Sequence, residues 1–219
     1  MSNQWLKSTG LIKTYPEVVN IKDGIEFFRM YLEVPRKSGV VDILPVGFSA
    51  NSKVFEMLSE WEASGKDIVG LYVTIFGEVR TRNKKVEGKC KLEVSIFANN
   101  IVLEDKKTIC NVIKLEGYLV KKIPIRDTPR GLRIVDTIIA VHRNEYSDYI
   151  PTIFFNVLAE EIHEKWNVGD KIQLKGRMQS RDYNKEVGTD AEGNPVYEVR
   201  TCYELAVLNV ENTEVLDKN

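Results

Sequence analysis

A long internal repeat restricts the fold of this 219-residue sequence more than any other feature. Four residues recur at a constant offset of 107, so that Gly10, Gly24, Val34 and Arg36 are matched by Gly117, Gly131, Val141 and Arg143. The match continues at an offset of 106 between Asp42-Ile-Leu-Pro45 and Asp148-Tyr-Ile-Pro151, and at 99 between residues 77–82 and 176–181. A slowly falling offset is what a duplicated domain leaves when loops change length and the framework stays. We therefore predict two domains, residues 1–107 and 108–210, and a short polar tail, residues 211–219.

Length and composition agree with two folded domains. Each half has about 100 residues, enough for one hydrophobic core, and the period is too long for a solenoid. Hydrophobic residues make up 43% and charged residues 29%, which predicts a folded chain rather than a disordered one. No apolar run reaches the roughly 18 residues of a membrane helix, and the start shows no signal-peptide pattern. We expect a cytoplasmic protein without a membrane segment.

The residues that usually carry catalysis or bind metals are scarce. The three cysteines, Cys90, Cys110 and Cys202, lack Cys-x-x-Cys spacing, and neither His142 nor His163 stands beside a plausible nucleophile. No Gly-rich phosphate loop is present. The sequence thus predicts a binding protein, with no enzymatic activity, cofactor or metal.

The charge is nearly balanced. The net charge is −1, with 16 basic and 14 acidic residues in residues 1–107 and 15 basic and 18 acidic residues in residues 108–219. A protein whose whole surface attracts nucleic acid would be more basic. Any nucleic-acid site must therefore be local.

Apolar residues alternate along most of the second half, as in half-buried strands. We predict strands over residues 111–120, 132–141, 149–158, 171–180 and 196–210, a helix over 158–166, and a long hairpin loop over 181–195. Within the helix, Leu158, Ile162 and Trp166 lie four apart on one face, which predicts that Trp166 belongs to the core. Three strands, a helix and two strands are the order of an OB-fold, a five-stranded Greek-key barrel.

The first half repeats this order. We predict strands over residues 4–13, 26–34, 40–49, 68–79 and 89–103, and a helix over 51–63 capped by Asn51 or Ser49. The fold class is therefore all-β with one short helix per domain, as tandem OB-folds. The linker, residues 104–110, is so short that we expect the two barrels to share an interface.

The second half also resembles a known family, the bacterial single-stranded DNA-binding proteins, which are related to the primosomal OB-fold protein. The resemblance lies in Asn111…Gly117, Ile125-Arg-Asp-Thr-Pro-Arg-Gly131, Ala140-Val-His-Arg143, Ser147-Asp-Tyr-Ile-Pro151, Ala159-Glu160, Val168-Gly-Asp170 and Gly176-Arg-Met-Gln-Ser-Arg-Asp-Tyr183. The first half carries only the framework of this pattern.

The resemblance implies a mechanism and a set of site residues. In such proteins, bases stack on aromatic rings while Lys and Arg follow the phosphates, so binding depends little on base sequence. The aromatic positions of the family correspond to Tyr149, Phe155 and Tyr183, and a further one falls close to Tyr146. The cations beside them are Arg126, Arg130, Arg143, Arg177 and Arg181.

Several of these residues have a second, structural interpretation. Phe154 and Phe155 are adjacent on a strand, so only one can face outward, and the family register favours Phe155. Tyr149 could cap the barrel beside Pro151. The arginines could pair with acids such as Asp148 or Asp182 instead of phosphates.

The two halves differ at these positions. Ile43, Ser49, Lys84 and Glu78 stand where the second half has Tyr149, Phe155, Tyr183 and Arg177. Our hypothesis from the sequence is that the second barrel binds DNA and the first serves assembly or another ligand.

The predicted function is sequence-independent binding of single-stranded DNA in replication, recombination or repair. Because related OB-folds act as assemblies of four barrels, the resemblance implies a homodimer with four OB-folds, with replication or recombination proteins as further partners. The alternative is a protein-interaction module in a replication or primosome-like complex. An RNA-binding OB-fold is a third possibility, since stacking does not distinguish the sugar.

Overall fold

The structure, a computed structural model, describes residues 3–86, 88–122, 124–129 and 131–214. The elements of the first half are β1 (Gln4–Ile12), β2 (Glu17–Lys22), β3 (Ile25–Pro35), β4 (Val41–Ser49), α1 (Lys53–Ala63), β5 (Tyr72–Val86) and β6 (Lys89–Leu103). Those of the second half are β7 (Asn111–Lys121), β8 (Arg126–Asp127), β9 (Arg133–Arg143), β10 (Tyr146–Phe155), α2 (Val157–Lys165), β11 (Lys171–Thr189) and β12 (Pro195–Glu214).

Each half closes into a five-stranded barrel. In the first barrel, the pairing runs β1–β3–β4–β6–β5 and returns to β1, with β4 and β6 parallel. The second barrel closes in the same way through β7–β9–β10–β12–β11. The helix follows the third barrel strand in both halves, and β2 and β8 are extra strands that pair with β3 and β9. The predicted tandem OB-fold is confirmed.

The helices cover the barrels with one apolar face each. Val54, Leu58 and Trp61 are the buried residues of α1. In the second barrel Trp166 is buried directly after α2, which confirms the prediction that it belongs to the core. The predicted cap of α1 was wrong: Ser52, not Asn51 or Ser49, is the N-cap, and its hydroxyl accepts a hydrogen bond from the Phe55 N–H.

The largest error of the sequence prediction is the loop over residues 181–195. There β11 continues to Thr189 and β12 begins at Pro195, so only 190–194 form the connection. Uninterrupted pairing from Arg181↔Cys202 to Glu186↔Tyr197 extends this polar segment as a two-stranded ribbon. Similarly, β5 begins at Tyr72 and extends to Val86, whereas the prediction placed that strand at 68–79. Both ribbons contain many polar residues, so hydrophobic alternation did not reveal them.

The two barrels are joined through their first strands. Strand β1 pairs antiparallel with β7 from Gln4↔Leu115 to Ser8↔Asn111, which makes one continuous 12-stranded sheet. At this junction the Gln4 side chain bonds to both backbone groups of Val79, and Asn111 bonds in the same way to Met178. The expected interface between the barrels is confirmed, and it has approximate twofold symmetry.

The repeated glycines serve two structural needs. A Cβ at Gly10 would collide with the carbonyl oxygen of Glu33, and one at Gly117 would lie 2.5 Å from that of Ala140. These glycines therefore allow two strands of each barrel to approach closely. Gly131 has a φ of +75°, and a side chain is disfavoured in that conformation.

Candidate nucleic-acid interface

The outer face of the second barrel carries three of the four predicted aromatic residues. Along β10, Phe154 is fully buried, whereas Phe155 lies outside and packs on Ile134, Ile153 and Ala206. Tyr149 lies on the same outer face of β10 and is 46% exposed. Tyr183, on β11, is 38% exposed. The two tyrosines have exposed ring surface on which a base could stack. Part of the surface of Phe155 is buried against this apolar cluster.

The cations of this face are largely matched by acids. Arg126 pairs with Asp136, its Nε lying 3.0 Å from Oδ2. Arg181 pairs with Glu204 at 3.3 Å. Burial opposes the charge of Arg181, but the hydrogen bond and charge of Glu204 outweigh it and raise the pKa of the guanidinium. Paired arginines attract phosphate less strongly than free ones, so this face is weakly basic.

Two further predicted cations have other surroundings. Arg177 donates to the amide oxygen of Gln179 at 3.2 Å, and no partner for its Nε is found among the described residues. Burial and then the nearby charge of Arg36 lower the pKa of Arg177. Arg130 lies outside the described residues.

Arg143 and Asp148, by contrast, form part of the junction between the barrels. Asp148 is 1% exposed; it accepts from Arg143 Nε at 2.9 Å and from the Thr81 backbone N–H of the first barrel at 2.7 Å. Because Arg143 also lies 3.8 Å from Glu78, it has two acidic neighbours. Arg143 thus pairs with Asp148, as the alternative interpretation predicted, but the carboxylate is buried and not on a solvated face.

An equivalent contact runs from the first barrel to the second, with the buried carboxylate now in the first barrel. Asp42 is fully buried, accepts from Arg36 Nε at 2.7 Å, and accepts from the Ser180 backbone N–H of the second barrel at 2.8 Å. The hydrogen bond to Asp42 raises the pKa of Arg36. The repeated Arg and Asp residues thus hold each barrel to a strand of the other.

A cleft in the first barrel was missed by the sequence reasoning. Its volume is about 370 Å³, and we call it the first-barrel cleft. It is lined by Val19, Asn20, Lys22, Phe27, Phe28, Arg29, Gly47, Phe48, Arg80, Thr81, Arg82, Glu93, Ser95, Phe97, Arg143 and Tyr146. Arg143 and Tyr146, which were assigned to the second barrel's own site, therefore contribute to a cleft of the first barrel. Tyr146 is 59% exposed there.

The first-barrel cleft combines positive charge with aromatic surface. The guanidinium of Arg80 stacks over the Phe97 ring, with Cζ 3.4 Å from the centroid. Burial lowers the pKa of Arg80. Glu93 is the acidic residue of the cleft, and its Oε2 lies 2.6 Å from Nη2 of Arg82 and 3.5 Å from Nη2 of Arg29. Burial opposes its ionisation, yet Arg82, Arg29 and Lys84 together lower the pKa of Glu93 below its ordinary value.

Within the described part of the chain, no group of three or more His, Cys, Asp or Glu side chains could hold a metal ion. Among the same residues, none of the helices has the length and apolar character to span a membrane.

The described face and fold can be compared with known proteins. Residues 110–211 match the model of the single-strand binding protein family. The second barrel thus resembles this family, and the match covers less than half of the chain. No curated protein sequence matches the chain.

Among solved structures, the likeness in fold extends over both barrels. A deletion variant of the single-stranded DNA binding protein from Thermus aquaticus is 20% identical to this chain and superposes with a TM-score of 0.71. The aligned region covers 100% of this chain and 97% of the variant's chain. The wild-type protein from the same organism is also 20% identical, with a TM-score of 0.70. In that comparison the aligned region covers 96% of this chain and 92% of the wild-type chain. At this identity the likeness establishes that the chain shares their overall fold, the first barrel included.

Proposed function

We propose that this protein binds single-stranded DNA with little sequence preference, in replication, recombination or repair. The observation that carries the proposal is the pair of exposed tyrosines, Tyr149 and Tyr183, on the outer face of a barrel that matches the model of the single-strand binding protein family. Bases stack on such rings at about 1–3 kcal/mol each, whatever their sequence. Arg126, Arg177, Arg181 and Arg130 are the candidate phosphate contacts on that barrel.

Replacing Tyr149 and Tyr183 together by alanine is expected to weaken the binding of oligo(dT) by the full chain about 100-fold, roughly tenfold for each lost stack. Fluorescence anisotropy with labelled oligo(dT), duplex DNA and oligo(U) measures the affinity and the preference for strand and sugar. In the unmodified protein, log K should fall with log[salt] by about 0.7 for each phosphate neutralised.

The matched control is Tyr15→Ala, which removes a similarly exposed tyrosine that bonds to Asp67 on the first barrel. This variant should bind oligo(dT) as the unmodified protein does. Unchanged affinity in the double variant would assign binding to other residues, and equal affinity for duplex DNA would contradict the proposal.

We further propose that the protein acts as a homodimer with four barrels. Trp5, on the outer side of the strand pair that joins the barrels, is 45% exposed, and Val102 on the same side is 41% exposed. Tryptophan is enriched at interfaces between proteins. Sedimentation equilibrium should therefore give twice the 25.1 kDa mass of the chain at micromolar concentration, and Trp5→Lys should shift it toward the monomer. A monomeric unmodified protein would contradict the homodimer.

A further inference from the structure

The faces of the two barrels differ at equivalent positions of the sheet. In the first barrel, Gly47 on β4 pairs with Arg29 on one side and Phe97 on the other. In the second barrel, the residue with the same pairing is Ile153, between Asp136 and Ala206. Strand register, rather than sequence alignment, establishes this equivalence.

This difference leaves the face of the first barrel open, whereas side chains fill the face of the second barrel. Ile153 is buried beneath Phe155 and fills the centre of its face, whereas Gly47 leaves the floor of the first-barrel cleft without a side chain. The charge changes in the same direction, because Arg29 stands where the second barrel has Asp136. The open cleft therefore belongs to the barrel that lacks the family's aromatic positions, and it is lined by more basic than acidic side chains although its arginines also have acidic partners.

The surroundings of Gly47 suit a flat, apolar group with an anionic neighbour. Phe97 pairs directly with Gly47, and Phe27 lies on the same strand face as Arg29, so both supply aromatic surface. Arg29 and Arg82 also line the cleft. The second barrel contributes Arg143 and Tyr146 at the open side, so the site is complete only when the two barrels are joined. A volume of about 370 Å³ falls within the range of small-molecule sites, roughly 300–1,000 Å³.

We propose that the first-barrel cleft holds one unstacked nucleotide of the bound DNA strand. The base lies over Gly47 beside Phe27 and Phe97, and the adjacent phosphates contact the guanidinium groups that line the cleft. This inference rests on the proposed function, and it makes the first barrel a DNA-binding barrel through residues other than those expected from the family. Glu93 limits the positive charge of the cleft by pairing with its arginines.

Two variants of the full chain test the cleft, and we expect them to change the affinity for oligo(dT) in opposite directions. Gly47→Val should weaken the binding of oligo(dT) about tenfold, because the side chain occupies the place of the base. The barrel accommodates the change, since a Cβ at Gly47 has its nearest neighbour, the Phe28 carbonyl oxygen, at 3.6 Å. Glu93→Gln should strengthen binding roughly fivefold at low salt, because it frees the cleft arginines for phosphate.

The control for charge is Glu56→Gln, an exposed residue on α1 that pairs with Lys53 and should leave affinity unchanged. Anisotropy with oligo(dT) measures all variants, and thermal melting confirms that they fold. If the unmodified protein does not bind oligo(dT), the proposed function itself is wrong. If it binds while Gly47→Val and Glu93→Gln both bind with the same affinity, the function stands and the nucleotide site in the cleft is refuted. Should Gly47→Val fail to fold, an affinity of Glu93→Gln no higher than that of Glu56→Gln refutes the site.

Discussion

Replacing Asp42 by alanine is expected to lower the free energy of unfolding by about 3 kcal/mol. The substitution leaves Arg36 and the Ser180 N–H without their buried acceptor, and breaking a buried pair from one side costs roughly 3–5 kcal/mol. We expect the low end of that range because Arg36 is 19% exposed and can regain some water. Urea unfolding followed by tryptophan fluorescence measures the loss, since Trp61 and Trp166 are buried in different barrels.

Two variants serve as references for Asp42→Ala. Glu33→Ala removes the acid of an exposed pair with Lys13 and should change the free energy of unfolding by less than about 1 kcal/mol. Asp42→Asn keeps an acceptor for the Ser180 N–H and should fall between these two. If Asp42→Ala destabilises the chain no more than Glu33→Ala does, the contact between the barrels contributes little.

Replacing Gly117 by alanine is expected to destabilise the protein by about 3 kcal/mol, the upper end of the range for overpacked cores. The new Cβ would lie 2.5 Å from the Ala140 carbonyl oxygen and 2.7 Å from a methyl group of Ile139. That carbonyl belongs to β9, which pairs with β7 at Tyr118↔Ala140, so it cannot move without disturbing the barrel. The same urea titration measures the effect.

Gly188→Ala is the matched control. Gly188 also lies in a strand, yet no atom comes within 4 Å of the added Cβ and its φ is not positive. This variant should change the free energy of unfolding by no more than about 0.5 kcal/mol. Equal stability of the two alanine variants would show that Gly117 is not required for close approach of the strands.

The sequence predicted those parts of the fold that depend on the pattern of residues close together along the chain. Apolar alternation and the helical spacing that ends at Trp166 identified the barrel strands and the helix of the second half, because one buried face imposes that period. The ribbon of β11 and β12 beyond Arg181 was missed, because both of its sides face water and its polar residues resemble a loop. The extra strand β2 has no buried residue either, so no pattern revealed it.

The candidate site was less predictable than the fold. The family resemblance pointed to Tyr149 and Tyr183, and both side chains are partly exposed. It did not show that Arg143 and Tyr146 line a cleft of the other barrel, because more than 60 residues separate them from Arg80 and Arg82. Nor did it show that Asp136 and Glu204 pair with the arginines of the second face.

By itself, the sequence determined the duplication, the order of strands and helix, and the resemblance of the second half to a known family, since these follow from periodicity and motifs along the chain. Only the tertiary structure decided what the repeated residues do. Gly10 and Gly117 allow close strand contacts, while Arg36 and Arg143 hold buried carboxylates that bridge the barrels. Charge and open surface depend on neighbours brought together by strand register and by the junction of β1 with β7, and both lie beyond the reach of local pattern.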